Sequence, residues 1–317
     1  MFFIDKTNTL SVDLDYTDDF HSFYNNTFYT NVTNNSDFIY TRNSFHDHKT
    51  VNYTLNYRRN FKNKNHYIEV DYQYSDNDNF LPAKDFEDAI FLFEEERINK
   101  NKLNALALDY ALHLNDKLKL ETGFAWNARN LESAYFLKNT QNQESLDTFI
   151  YDENLLGVYA LSTLNFNKLN LQIGLRYESL KSKSENLTSL ETTNLTFSNF
   201  FPSIHASYTP DENQTINIGF SRRISRPNFR HINPFQARNQ YFEWIANPSL
   251  QPEFSNNLET NYQLNKGVFN FSTSFFYRYR ADVIERLQEI DNNGVLKISF
   301  DNIGEKHSYG IEASVGY

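Results

Sequence analysis

The sequence predicts an all-β fold, an antiparallel up-and-down β-barrel of the membrane-spanning kind, and three observations carry the prediction. First, apolar and polar residues alternate over whole strand lengths. In residues 213–226, Ile216, Ile218, Phe220 and Ile224 share one face, while Thr215, Asn217, Gly219, Ser221 and Arg223 share the other. In 168–180, Leu169, Leu171, Ile173, Leu175 and Tyr177 oppose Asn170, Gln172, Gly174, Arg176 and Glu178. Strands of about 9–11 residues, apolar outside and polar inside, are what a lipid-embedded barrel requires. Second, brief polar breaks alternate with long connections, as in barrels with short periplasmic turns and longer outer loops. Third, the chain carries 29 Phe and 21 Tyr, residues that favour strands and form the aromatic girdles at both membrane interfaces.

Taken in order, the pattern gives fourteen strands in one domain, 1–317: 8–16, 21–33, 37–59, 65–75, 101–113, 118–130, 153–165, 168–180, 197–209, 213–226, 254–264, 268–288, 295–303 and 308–317. Their expected lipid faces include Leu10, Val12, Leu14 and Tyr16; Val51, Tyr53, Leu55 and Tyr57; and Ile68, Val70, Tyr72 and Tyr74. Further on come Leu118, Leu120, Phe124 and Trp126, then Phe269, Phe271, Phe275, Tyr277 and Tyr279. Strand 153–165 has large apolar residues on both faces.

Short turns of Asn, Asp, Lys and Gly are expected at Thr17–Phe20, Asn60–Asn65, Asn115–Lys117, Phe166–Lys168, Pro210–Asn213, Asn265–Gly267 and Gly304–His307. Mostly longer, irregular connections are expected at Ser75–Asn101, Leu131–Asp152, Lys181–Thr196, Pro227–Phe254 and Ile290–Val295, with one brief break at Asn34–Ser36. With the short turns in the periplasm, strand 8–16 descends and strand 308–317 rises, so Met1 and Tyr317 are both expected at the outer surface. That placement predicts a partial barrel, incomplete at both ends. The stretch Met1-Phe2-Phe3-Ile4-Asp5 lacks the features of a secretory signal, which is expected upstream.

Bulk properties narrow the function. The mean hydropathy is -0.66 and 22% of residues are charged, yet a polar lumen face dilutes the apolar face of any barrel. No run approaches the roughly 18 apolar residues of a membrane helix. A net charge of -10 offers no basic face for nucleic acid. With no Cys, disulfides, thiolate metal sites and Cys nucleophiles are excluded. A soluble β-sandwich would show similar alternation, but its strands usually run about 5–6 residues.

Residues 201–253 carry a family resemblance: Phe201-Pro202-Ser203, Ser221-Arg222-Arg223-Ile224-Ser225-Arg226-Pro227, Asn233-Pro234-Phe235 and Asn247-Pro248-Ser249-Leu250-Gln251-Pro252-Glu253. Asn302-Ile303-Gly304 and Tyr309-Gly310-Ile311-Glu312 follow. In order and spacing this resembles the barrel region of TonB-dependent outer-membrane receptors, an outer-membrane β-barrel family. The resemblance implies the Gram-negative outer membrane and a barrel of about 22 strands plugged by a separate domain. It also implies import of a scarce small ligand driven through the TonB complex, with outer-membrane lipid around the wall and no cofactor. Plug and TonB-contacting segment are not found in this sequence and are expected upstream. Passive porin-like or structural barrels remain alternatives, as does an outer-membrane hydrolase.

The motif residues also have direct physical meanings. Pro227 cannot donate a ladder hydrogen bond, so it ends a strand. Asn233-Pro234 and Asn247-Pro248 favour turns that fold the long loop back over the barrel mouth. Arg223 has lumen parity, whereas Arg222 and Arg226 have lipid parity and are expected to reach lipid phosphates or a loop carboxylate such as Glu253. Loop shaping is the expected role of Arg222, Arg223, Arg226, Pro227, Asn233, Pro234, Phe235, Asn247, Pro248, Pro252 and Glu253, with ligand contact the alternative.

Other candidates are weaker. His46-Asp47-His48 places two imidazoles on one side of a strand without a third ligand. Glu94-Glu95-Glu96, near Asp85, Glu87 and Asp88, makes 75–101 acidic, and Phe91-Leu92-Phe93 suggests that it packs on something. His113 and His205 lie near strand ends, but no nucleophile–base–orienter set is legible. No catalytic or metal site is expected.

Overall fold

The computed structural model describes residues 2–3, 5–30, 37–61, 66–234, 238–239 and 242–317. Its strands are β1 (Phe2–Phe3), β2 (Asn8–Tyr29), β3 (Phe38–Asn60), β4 (Tyr67–Glu87), β5 (Ile90–Asn115), β6 (Leu118–Asn139), β7 (Glu144–Phe166), β8 (Leu169–Asn186), β9 (Glu191–Asp211) and β10 (Gln214–Ser225). After helix α1 (Phe229–Ile232) come β11 (Arg238–Asn239), β12 (Phe242–Trp244), β13 (Glu253–Lys266), β14 (Phe269–Ala281), β15 (Ile284–Ile290), β16 (Leu296–Asn302) and β17 (Glu305–Gly316). Among the described residues, thirteen strands form one antiparallel sheet in the order β1 to β10, β13, β14, β17. β11, β12, β16 and β15 make a separate four-stranded sheet.

The alternation in the sequence becomes one continuous apolar face because the register aligns it. A single row of cross-strand neighbours runs Leu10, Tyr57, Val70, Leu108, Phe124, Val158, Tyr177, Phe200 across eight strands. A second runs Ile204, Phe220, Leu258, Tyr277, Tyr309. These side chains are half-buried or exposed, Phe200 at 57% and Tyr309 at 75%, and none is buried. An apolar face this extensive is a surface for lipid, not for water. The first row enters near the start of β2 and reaches Phe200 deep within β9, so the strands are staggered, as a tilted barrel wall requires.

Four expectations are corrected by the ladder. Residues 8–16 and 21–33 do not flank a turn at Thr17–Phe20: β2 runs through it, pairing Thr17 with Thr50 and Phe20 with Asp47. The polar Thr17-Asp18-Asp19 sequence resembles a turn, but a 23-residue partner, β3, holds it extended. The loops expected at 75–101, 131–152 and 181–196 are instead upward extensions of hairpins, closed tightly at Asp88-Ala89, Asn142 and Leu190, all with positive φ. β5 thus reaches 26 residues, well beyond what spanning lipid needs.

The last two corrections concern the ends. Residues 295–303 are not a wall strand, and Gly304–His307 is not a turn at the short-turn edge. β14 pairs directly with β17, Ala281 opposite Glu305, so 282–304 leaves the wall as a hairpin bounded by positive-φ Asp282 and Gly304. Asn8 then lies opposite Arg59, and Gly316 opposite Asn270. Both ends of the wall therefore lie at the short-turn edge, opposite to the expected outer position.

The expected short turns at 115–117, 166–168, 210–213 and 265–267 do separate successive strands. Residues 34–36 and 62–65 lie outside the described residues. Among the described residues the wall is open: β1 and β17 are its edges and do not pair with each other.

Candidate functional site

Because side chains alternate across a strand, the face opposite the lipid rows is largely polar, with apolar patches such as Leu155 opposite Leu180. A concavity of about 330 Å³ lies on it, on β8, β9, β10 and β13. Three rungs build it. Gln172, His205, Gly219 and Glu259 are successive cross-strand neighbours. One rung toward the short turns lie Asn170, Ser207, Asn217 and Asn261; one rung toward the loops lie Gly174, Ser203, Ser221 and Asn257. Arg223 completes the upper lining.

Gly219 shapes the middle of this groove. A Cβ there would come within 2.8 Å of His205 Nδ1, so the imidazole lies across the strand only because the side chain is absent. Arg278 Nε donates to Asn257 Oδ1 at 2.7 Å, which fixes that amide. The lining is mostly amides and hydroxyls, with Arg223, Glu259 and His205 as its ionisable members. Such a surface offers many hydrogen-bond donors and acceptors with little net charge.

Above the groove, the loop after β10 folds inward over the wall, as its Asn-Pro turns predict. Asn228 caps α1, its side chain accepting from the His231 N–H at 3.2 Å. Asn233 is buried, held extended before Pro234, and donates from Nδ2 to Ser133 Oγ on β6 at 3.1 Å. Asn247 accepts from the Ser249 N–H and donates to the Phe300 carbonyl at 3.1 Å. Ile232, Leu250 and Pro252 supply the apolar anchors. Pro234 and Pro248 face Phe149 and Ser184 across a crevice of about 460 Å³. The hairpin β15–β16 joins this loop through parallel pairing of β12 with β16. His231 stacks on Phe300 with centroids 4.3 Å apart, and burial holds its imidazole below the usual pKa.

The arginines distribute differently from expectation. Arg226 pairs with Glu178 on the inner face, which also holds Arg176 at 3.2 Å. β10 ends at Ser225, so strand parity no longer directs Arg226 outward. Glu253 instead meets Arg280 at 3.6 Å and accepts from the Ile284 N–H at 2.7 Å. Arg222 keeps outward parity and lies 5.0 Å from the Phe254 ring, a cation–π contact in place of a carboxylate. Arg223 alone of the three lines the groove. Pro227 follows the strand end, and Phe235 lies outside the described residues.

The other sequence candidates fall on the inner and outer faces of the extensions. Glu95 and Asp85 are fully buried and share Arg42: Arg42 to Asp85 is 2.9 Å, and Glu95 also pairs with Arg97 at 3.5 Å. Tyr40 donates to Asp85 at 2.5 Å and Tyr135 to Glu95 at 2.8 Å. Glu94 faces outward to Lys84. The acidic run is therefore split by strand alternation. Phe91 meets Phe86 across its own hairpin. His46 and His48 both contact the Asn79 side-chain oxygen. His113 Nδ1 is buried without a partner near the short-turn edge. Among the described residues, no group of three or more metal-ligating side chains converges as placed.

Sequence reasoning missed the groove because it sits on four strands whose register only the ladder supplies. Its one legible sign was the repeated Asn, Gln and Ser at inward parity.

No curated protein matches the chain. Among solved structures, the unliganded ferric citrate transporter FecA is similar, with TM-score 0.61 at 8% identity over 98% of this chain and 48% of that one. The copper transporter OprC gives 0.59 at 10% over 98% and 58%. The alcaligin outer-membrane receptor FauA from Bordetella pertussis gives 0.56 at 12% over 98% and 48%. The chain spans about half the length of FecA and FauA, and at such identities the likeness is one of fold. A model of the outer membrane protein beta-barrel family matches residues 59–317, and the chain belongs to that family, whose place is the Gram-negative outer membrane.

Proposed function

We propose that this chain is the wall of an outer-membrane receptor that imports a scarce small ligand by energy passed from the TonB complex. In this reading a plug domain occupies the concavity, the inward loop presents ligand at the mouth, and the polar groove lies on the ligand's path. The observation that carries it is the loop itself, anchored by Arg226–Glu178 and Asn233–Ser133 above a groove of amides and hydroxyls. The fold likeness to FecA, FauA and OprC supports the same reading.

The test compares two deletion strains of the source bacterium, one lacking this gene and one lacking TonB. Solutes left in the medium are profiled by mass spectrometry. A solute spared by both strains, and consumed by the wild type, is the expected result. A solute consumed normally by the TonB-deficient strain but spared by the other would point to passive passage.

A further inference from the structure

We propose a transition-metal site on the inner face of the β2–β3 extension, formed by His46, His48 and His21, with Asp19 as a fourth ligand. His46 Nε2 and His48 Nδ1 point at the same atom, the Asn79 side-chain oxygen, at 2.9 and 2.6 Å. Two imidazole nitrogens thus converge on one point, now filled by an amide oxygen. Moving to the usual metal–nitrogen distance of about 2.0–2.1 Å requires each ring to advance less than about 1 Å once the amide turns away.

Register supplies the remaining ligands. His21 lies directly opposite His46, and Asp19 directly opposite His48. All four share inward parity, and cross-strand neighbours stand about 4.5–5.5 Å apart at Cβ. His21 and Asp19 are exposed, and His21, whose ring lies 6.4 Å from that of Phe23, reaches the pair by a side-chain rotation. Three imidazoles and a carboxylate suit Zn²⁺ or Cu²⁺, with Cu²⁺ the tighter by the general order of divalent affinities. Both ring nitrogens that face the amide oxygen donate to it, so a metal at that point requires each imidazole to adopt the other neutral tautomer.

Asn79 makes the proposal sharply testable, because its amide competes with the metal. Isothermal titration of the detergent-solubilised full chain with ZnCl₂ and with CuCl₂ is expected to show one equivalent bound in the micromolar range. His46→Ala and His48→Ala are each expected to weaken binding by at least about tenfold, the scale at which even supporting groups matter in metal sites. Asn79→Ala is expected to preserve or tighten binding, and the distant His66→Ala to leave it unchanged. The electron paramagnetic resonance spectrum of the Cu²⁺-loaded wild type is expected to show splitting from two or more nitrogens, independently of any variant's folding. Absence of stoichiometric binding overturns the site. So does a Cu²⁺ spectrum without nitrogen splitting, or equal weakening by Asn79→Ala and the histidine variants, which would mark a purely structural polar cluster.

Discussion

At the scale of single residues, the molecule concentrates its electrostatics where strands leave the lipid. Asp85 and Glu95 are wholly buried, and Arg42 bridges them. Arg42→Ala would leave buried Asp85 without a cation and Glu95 with Arg97 alone, and removing one partner of a buried pair costs about 3–5 kcal/mol. Lys84→Ala removes an exposed pair with Glu94, worth about 0–1 kcal/mol. Guanidinium titrations in detergent are expected to show a large fall in midpoint for the first and almost none for the second. Equal shifts would mean that the buried network is not cohesive. His231 sets a pH dependence in the loop. Burial lowers the pKa of its docked imidazole, against a weaker upward pull from Glu253. Below a free-imidazole value of about 6.5 the released loop binds more protons than the docked one, so docking weakens as pH falls. Above that window docking does not depend on this group. In a Trp126→Phe background, Trp244 emission is expected to shift red as pH drops below that window, with no shift in the His231→Phe protein. A shift that persists in His231→Phe would assign the transition elsewhere.

Elements show what sequence could and could not convey. The lower halves of the wall strands were legible, because alternation such as Val12, Leu14, Tyr16 needs no partner to be recognised. Their upper halves were not. Asp76 to Asn79 and Ser182 to Glu185 are polar on both faces, so nothing local distinguishes a solvated strand from a loop; only pairing to Asn99–Lys102 and Thr192–Leu195 decides. Thr17-Asp18-Asp19 misled for the same reason. The hairpin 282–304 was misread because its own alternation, Leu296, Ile298, Phe300, suits a wall strand, while its place depends on β14 pairing past it with β17. At the loop, Asn233 joins the helix end to β6 through Ser133. Asn233→Ala is expected to raise cleavage of 227–253 by added protease several-fold while leaving the wall intact. Unchanged cleavage would show that the apolar anchors Ile232 and Leu250 suffice.

On the scale of the whole molecule, the account rests on two faces. Rows of apolar side chains cross the wall on one side, and amides, hydroxyls and paired charges predominate on the other. The ring count from Phe and Tyr announced the first face in the sequence. The groove on the second was hidden, since His205, Gly219 and Glu259 are far apart along the chain and meet only through register. The division of faces is directly measurable because the chain has no native Cys to interfere. Single cysteines placed successively at 215 to 221 along β10 can be exposed, in outer-membrane fractions, to a water-soluble maleimide. The account predicts alternating reactivity: Thr215→Cys, Asn217→Cys and Ser221→Cys labelled, Ile216→Cys, Ile218→Cys and Phe220→Cys protected. Uniform labelling, or the opposite alternation, would contradict it.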